Sequence, residues 1–344
     1  MNKKKLVYLV LVFVLVLTTA CGNKKVDEEV AENVEQTKDV ESNEVKEEYG
    51  LKFYDDKVEF TDGRGQEVVL EKNPQRVVVL YNSYLELWVE NGGSVVGRME
   101  ESKTQGKIEG TEDAEVVGNS GGGGVSIEKV IALEPDLIIM SSKNKEQGET
   151  IPFWEDNGIA YVSLDYDGLE DYHKLVRLFT FLNDRDDLFE ENSVKVQKDI
   201  DDILSKLPED TDKKVLLMSA GRNIGARDSS FWVGEIVKDF KVTNIADLHE
   251  DKFTTKELSK EILVQEDPDY ILTLVMGNED EVKEKINEEL GKDPAWNSLT
   301  AVKEGRVIYL DREYFWFRPN NEYAKSYEMM GQILFPEVYG ELNN

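Results

Sequence analysis

A fourteen-residue unit that recurs 133 positions later is the strongest constraint on how this chain folds. SIEKVIALEPDLII (residues 126–139) aligns without a gap to SKEILVQEDPDYIL (residues 259–272). In each copy a serine precedes a short helical pattern, an acidic turn ends in Pro-Asp, and an apolar strand follows. The serine hydroxyl can accept a free helix amide, and the proline stops the helix before the strand. A chain that writes this unit twice is expected to hold two similar α/β bodies. Shared αβ punctuation accounts for most of the match. The matched Ser-x-Glu, with Glu128 and Glu261 in the first helical turns, is less readily a packing requirement.

The rest of the body has the same style. Apolar runs at 76–80, 136–140, 160–164, 214–218, 270–275 and 306–310 read as strands, with shorter ones at 94–96 and 115–117. Segments 58–61 and 68–70 flank the turn DGRG and predict a hairpin. Helical patterns cover 85–88, 126–133, 233–240 and 255–265. Apolar strands alternating with helices predict mainly parallel sheets covered on both faces, in two Rossmann-like lobes. Between the halves, 169–182 reads as one helix and 187–207 as a second, with apolar positions at Leu188, Val194, Val196, Ile200, Ile203 and Leu204. A helix of that length spans roughly 30 Å, enough to bridge two small lobes. A single helical crossing is a stiff spring, so small closing motions are expected. The expected division is a leader to residue 21, a tether over 22–50, one lobe over 51–168, the interlobe helical region 169–207, and a second lobe over 208–344.

The leader has Lys3, Lys4 and Lys5, then an apolar run from Leu6 to Leu17, then Thr18, Thr19, Ala20 and Cys21. Its apolar core is too short for an ordinary membrane span and has secretory architecture. It resembles a bacterial lipoprotein signal, with Thr18 where leucine commonly stands. That resemblance implies lipidation of Cys21 and a place on the extracytoplasmic face of the membrane; a plain cleaved signal peptide is the alternative. Cys21 is the only cysteine, which excludes an internal disulfide and a thiolate metal site. Residues 22–50 carry ten acidic and four basic residues, no proline, and no aromatic before Tyr49, the composition of a self-repelling tether. The formal net charge of −30 repels phosphate backbones and argues against nucleic-acid binding.

Taken in order, FTDGRGQEVVL (60–70), PQRVVV (74–79), VVG (116–118), SIE (126–128), ALEPDLII (132–139), NIA (244–246), PAWNSL (294–299), VKEGRV (302–307) and ILFPE (333–337) resemble one family. It is the iron-siderophore, haem and cobalamin family of ABC-transporter substrate-binding lipoproteins, and the likeness runs from about Tyr54 to Tyr339. It implies two α/β lobes joined by one long helix, with the ligand in the cleft between them. It also implies a monomer that docks on a permease dimer with its ATPase, through one acidic residue per lobe. Glu128 and Glu261 match those positions, where arginines of the permease would grip them bidentately. Both are also first-turn acids favoured by the helix dipole.

In open α/β sheets the ligand binds beyond the carboxyl ends of the strands. Those ends nominate Tyr81, Tyr84, Arg98, Arg222, Trp316 and Arg318 as ligand residues, with the glycine run 121–124 as a close-approach loop. The YFWFR run over 314–318 suits a large, partly aromatic, anionic ligand, because Arg pairs with carboxylate or catecholate oxygens and the rings stack. The expected cargo is an iron complex of the ferric-siderophore type, ahead of haem or cobalamin, with no intrinsic cofactor. His173 and His249 are the only histidines and neither follows a cleft strand, so an imidazole-built metal site is not expected. No nucleophile elbow or phosphate-cradling loop appears, so no enzyme is expected. A secreted hydrolase with paired carboxylates and a surface sensor or adhesin are the alternatives from other classes.

Overall fold

The computed structural model describes residues 45–101, 106–119, 124–249, 252–254 and 257–342. Cys21, most of the expected tether and glycines 121–123 lie outside them. The body opens with four antiparallel strands, β1 (Lys46–Glu48), β2 (Leu51–Phe53), β3 (Lys57–Thr61) and β4 (Glu67–Glu71), paired in chain order. β3 and β4 form the expected hairpin with Phe60 opposite Val68. β1 lies inside the stretch read as tether. It pairs with β2, and Glu48 receives the Arg177 guanidinium at 2.7 Å, so the acidic stretch already belongs to the body at residue 46.

The N-terminal lobe is a six-stranded sheet. Its strands are β5 (Val77–Val79), β6 (Gly97–Glu100), β7 (Glu115–Asn119), β8 (Gly124–Val125), β9 (Leu137–Ser141) and β10 (Tyr161–Leu164), in the order β10-β9-β5-β6-β7-β8. All pairings are parallel except β7 with β8. The strand expected at 94–96 instead starts at Gly97. Gly97 leaves room there for Leu133 and Val117, whose side chains a Cβ would strike. The C-terminal lobe contains β11 (Lys214–Ala220), β12 (Ile224–Ala226), β13 (Thr243–Asn244), β14 (Tyr270–Val275) and β15 (Val307–Leu310). They run in the order β12-β11-β14-β15 with β13 on β11, again parallel but for β12. Every residue of β9 and of β14 is buried, as strands covered on both faces must be.

The repeat keeps most of its geometry in both lobes, although Ser126 accepts the Lys129 amide as a helix cap and Ser259 makes no such side-chain cap. Helix Ile127–Ala132 leads into β9 and helix Lys260–Glu266 into β14. The residue before each proline sits in the left-handed region, Glu134 at φ 47° and Asp267 at φ 44°. The aspartate after each proline clips the start of the neighbouring strand. Asp136 accepts the Gln75 and Arg76 amides at 2.6 and 2.9 Å, and Asp269 accepts the Lys214 amide at 2.9 Å. The second helix begins at Lys260 rather than 255.

One long helical run joins the lobes, preceded by a shorter helix. Helix Leu169–Leu182 is followed after a break at Asn183–Arg185 by a continuous helical run of Asp186–Phe189, a π turn Glu190–Val194, and Lys195–Leu204. The π turn interrupts the uniform helix expected over 187–207. Its Asn192 carbonyl accepts the Tyr172 hydroxyl, and its Asn192 amide donates to Glu90 O at 3.1 Å and Asn91 Oδ1 at 3.2 Å. An aromatic series crosses the joint: Tyr166 with Tyr172 at 6.5 Å, Tyr172 with Tyr323 at 5.1 Å, and Tyr323 with Trp232 at 5.7 Å. One apolar core therefore runs through both lobes. Packed cores deform little, which favours small lobe motions.

Candidate functional site

The carboxyl ends of β5, β6, β7 and β9 open on a cavity of about 400 Å³, roofed by the C-terminal lobe. From the N-terminal lobe come Tyr81, Asn82 and Ser83 after β5, Met99 on β6, Asn119 on β7, and Asn144, Glu146 and Gln147 after β9. From the C-terminal lobe come Phe231, Trp316, Phe317 and Arg318. One face offers amides and hydroxyls; the other offers rings. Such a mixture fixes a bulky ligand by stacking and orients it by hydrogen bonds.

Gln147 sets the floor. It is 3% exposed, accepts the Ser141 amide at 2.7 Å, and donates Nε2 to Leu80 O at 2.5 Å, tying the ends of β5 and β9 together. Asn144 accepts the Gln147 amide at 3.2 Å and so caps the short helix that carries it. The roof begins at Asp311, which caps helix Arg312–Phe315 by accepting the Glu313 amide at 2.9 Å. Phe315 is buried, and the Trp316 and Phe317 amides both close on Arg312 O at 3.0 Å, which turns the next side chains toward the cavity. Arg318 donates Nε and Nη2 to Tyr166 O at 3.0 and 2.6 Å, with its guanidinium over the Tyr166 and Trp232 rings.

Behind Phe317 and Arg318, which line both spaces, lies a second cavity of about 720 Å³. Glu86 and Glu90 of helix Asn82–Glu90 face Asp311, Arg312, Glu313 and Glu322 across it. Asn320 joins the two sides: it is 1% exposed, donates to Glu86 Oε2 at 2.8 Å, and accepts the Tyr166 hydroxyl at 3.1 Å. Burial raises the Glu86 carboxyl above the usual range. Burial, reinforced by the charges of Glu86 and Glu322, pushes Glu90 up to about 8. Glu90 Oε2 is buried with no hydrogen-bond partner among the described residues.

Of the six ligand residues expected from the sequence, Tyr81, Trp316 and Arg318 share the first cavity. Tyr84 does not: it is 1% exposed in the core and donates its hydroxyl to Leu164 O at 2.7 Å. Arg98 is 8% exposed and bound to Thr111 O, Met99 O and Glu101 Oε2 at 3.1, 3.2 and 2.6 Å. It braces the β6 loop. Arg222 is exposed and lines neither cavity. Glu128 and Glu261 are exposed in the first turns of their helices.

Several residues escaped sequence reasoning. Asn82, Asn119 and Asn144 sit at strand ends, a position that was legible, but asparagine reads equally as a turn former. Arg227 is half-buried, donating Nε to Ser219 Oγ at 3.1 Å, with its guanidinium over the Phe231 ring at 5.5 Å. Burial lowers its pKa. His173 is buried against Ser193 Oγ and Gln197 Oε1 at 2.8 and 2.9 Å, and His249 meets Glu266 Oε1 at 2.9 Å. Neither histidine lines the cavity. Among the described residues no group of three His, Cys, Asp or Glu is placed to hold a metal ion.

Two α/β lobes enclosing a strand-end cleft define a solute-binding protein. Residues 77–314 match the periplasmic binding protein family, and the chain belongs to it. Among curated relatives it is 24% identical over 291 residues to the uncharacterized ABC transporter substrate-binding lipoprotein YvrC of Bacillus subtilis, covering 83% of this chain and 87% of that one. It is 27% identical over 277 residues to the Fe(3+)-citrate-binding protein YfmC of Bacillus subtilis, covering 78% and 82%. Among solved structures, Staphylococcus aureus IsdE complexed with heme superposes with a TM-score of 0.59 at 20% identity, over 75% of this chain and 98% of that one. The class is that of ABC-transporter substrate-binding proteins.

Proposed function

We propose that this chain is the lipid-anchored, extracytoplasmic receptor of an ABC importer, and that it carries a ferric chelate of the siderophore type in its interlobe cleft. The observation that carries the reading is the first cavity, where a floor of amides faces Phe231, Trp316 and Phe317 across the two lobes. An iron chelate presents a compact polar metal centre inside an organic shell, and needs hydrogen bonds and stacking rather than metal ligands from the protein. Tyr81, Trp316 and Arg318, joined by Asn82, Asn119 and Asn144, are the proposed ligand residues. Cys21 carries the lipid. The name of the relative YfmC supports iron as the element carried.

Glu128 and Glu261 are the proposed permease contacts. Their matched positions on two lobes that share one core give a rigid pair of carboxylates for a two-fold partner. Each substitution to alanine leaves ligand affinity unchanged and lowers delivery to the reconstituted permease.

Haem is the second reading, favoured by the Met99 thioether in the cavity wall and by the likeness to IsdE. Titration with ferric chelates, haem and cobalamin, followed by tryptophan fluorescence, separates the two. Saturable quenching by a ferric chelate, lost in Trp316→Ala, is the expected result. Saturation by haem or cobalamin alone overturns the assignment.

A further inference from the structure

The charge lining the cleft runs opposite to what a cluster of arginines near strand ends suggests. Among the described residues the first cavity holds one carboxylate, Glu146, and one guanidinium, Arg318. That guanidinium is already committed through two donors to Tyr166 O and serves as a wall. The rear cavity adds Glu86, Glu90, Asp311, Glu313 and Glu322 against Arg312 alone, whose Nη1 is held by Gly277 O at 2.8 Å. Arg98 and Arg222, the other candidate cations, line neither cavity, and Arg98 is paired with Glu101. Glu90 holds its proton for much of the neutral range, yet the remaining acids still outnumber the cations. A cleft with low-dielectric walls focuses the field of the charges around it. Here that field is negative, and the chain's formal charge of −30 adds to it at longer range.

Ferric chelates differ in the charge they present. Three singly charged hydroxamates neutralise the ferric ion, and a pendant ammonium leaves the complex cationic. Three doubly charged catecholates leave a trianion, and citrate complexes are also anionic. Resting on the reading that the cargo is a ferric chelate, we propose that this cleft selects by charge: it takes neutral or cationic complexes of the tris-hydroxamate type and rejects polyanionic ones. The neutral side chains of the floor, Ser83, Asn119 and Asn144, suit hydroxamate and amide groups, and Phe231 and Trp316 suit the organic shell. Rejection of a trianion needs no steric block, since each nearby carboxylate repels all of its charge.

The test uses the full chain in lipid nanodiscs and reads tryptophan quenching by three probes: ferrichrome (neutral), ferrioxamine B (cationic) and ferric enterobactin (trianionic). Both hydroxamates should bind at least roughly 100-fold more tightly than the catecholate at low salt, and the gap should narrow in ~0.5 M salt as the field is screened. Neutralising exposed wall carboxylates in Glu313→Gln/Glu322→Gln should cut the affinity ratio by about 10-fold. Catecholate binding as tight as that of the hydroxamates, or a ratio unmoved by salt and by the variant, overturns charge selection while leaving a ferric-chelate receptor. No binding of any of the three overturns both readings.

Discussion

In the N-terminal lobe Asp136 holds the start of the neighbouring strand by two backbone amides; in the C-terminal lobe Asp269 holds it by one. Asp269 takes only that amide, and Asp267, two residues before it, takes the Thr300 amide and hydroxyl, both at 2.7 Å. The helices near the seam show a similar contrast. Glu86 and Glu90 stand one turn apart on Asn82–Glu90, as Glu235 and Asp239 do on Trp232–Asp239, and burial raises all four carboxyls. In the C-terminal lobe both are satisfied: Glu235 accepts the Leu169 amide and Asp239 the Tyr327 hydroxyl at 2.5 Å. In the N-terminal lobe only Glu86 is, through Asn320, and Glu90 Oε2 has no partner among the described residues. The lesson is that the duplicated unit is kept where a strand must be started and is abandoned where the lobes face each other or the ligand.

The sharpest way to break this comparison is at Asn320, the residue that ties the C-terminal lobe to Glu86. Asn320→Ala should destabilise the protein by ~3 kcal/mol, from two lost hydrogen bonds and a left-handed φ of 49° that alanine disfavours. Asn320→Gly should recover the backbone part, ~1 kcal/mol, in the same denaturant titration. Equal losses in both variants would show that backbone conformation is not involved.

Next comes Glu90. Its native pKa, about 8, lies above the unfolded value, so the native state is the one that binds the proton. The resulting penalty is absent below about pH 4.3, grows as pH rises, and levels off above about 8. Glu90→Gln should therefore match wild type near pH 4 and exceed its stability by a margin that grows up to pH 8.5. Asp239→Asn in the satisfied lobe should give a smaller gain at high pH, because burial raises that carboxyl too but the Tyr327 hydroxyl holds it down. Parallel pH profiles for wild type and Glu90→Gln would remove the asymmetry between the two helices.

The strand clips should differ by a smaller margin. Asp136→Ala should cost ~2 kcal/mol and Asp269→Ala ~1 kcal/mol, in proportion to the amides each releases. Reversal of that order in urea melts would break the equivalence of the clips. Smallest of all, Glu128→Ala and Glu261→Ala should each shift stability by less than about 0.5 kcal/mol, because both side chains are exposed. A large loss in either would make it a structural residue rather than a contact surface.

Much of the scaffold was legible along the chain. Strand cores such as 137–140 and 270–275, the latter interrupted only by Thr273, are apolar runs, and the Pro-Asp punctuation marks where each begins. Local signals of this kind act over a few residues, so they survive without knowledge of the partner. The site was less legible. Tyr81 and Trp316 reach the cavity as their strand-end positions suggest, but Tyr84, three residues after Tyr81, turns inward on the same helix to bond Leu164 O. Arg98 and Arg318 looked alike as free cations, and each is held by groups that the fold brings to it. Gln147 and Asn320 carry no motif at all; their roles rest on Leu80, Tyr166 and Glu86, distant along the chain.

Hydrophobic period, helix punctuation and the 133-residue repeat were sufficient for two parallel-sheet lobes with helices between them, because each is a short-range consequence of side-chain shape and hydrogen bonding. The π turn at Glu190–Val194, the shared aromatic core and the negative lining of the cleft were not accessible in that way. They depend on which side chains meet across the seam, and burial there decides whether a charge is paired, protonated or exposed.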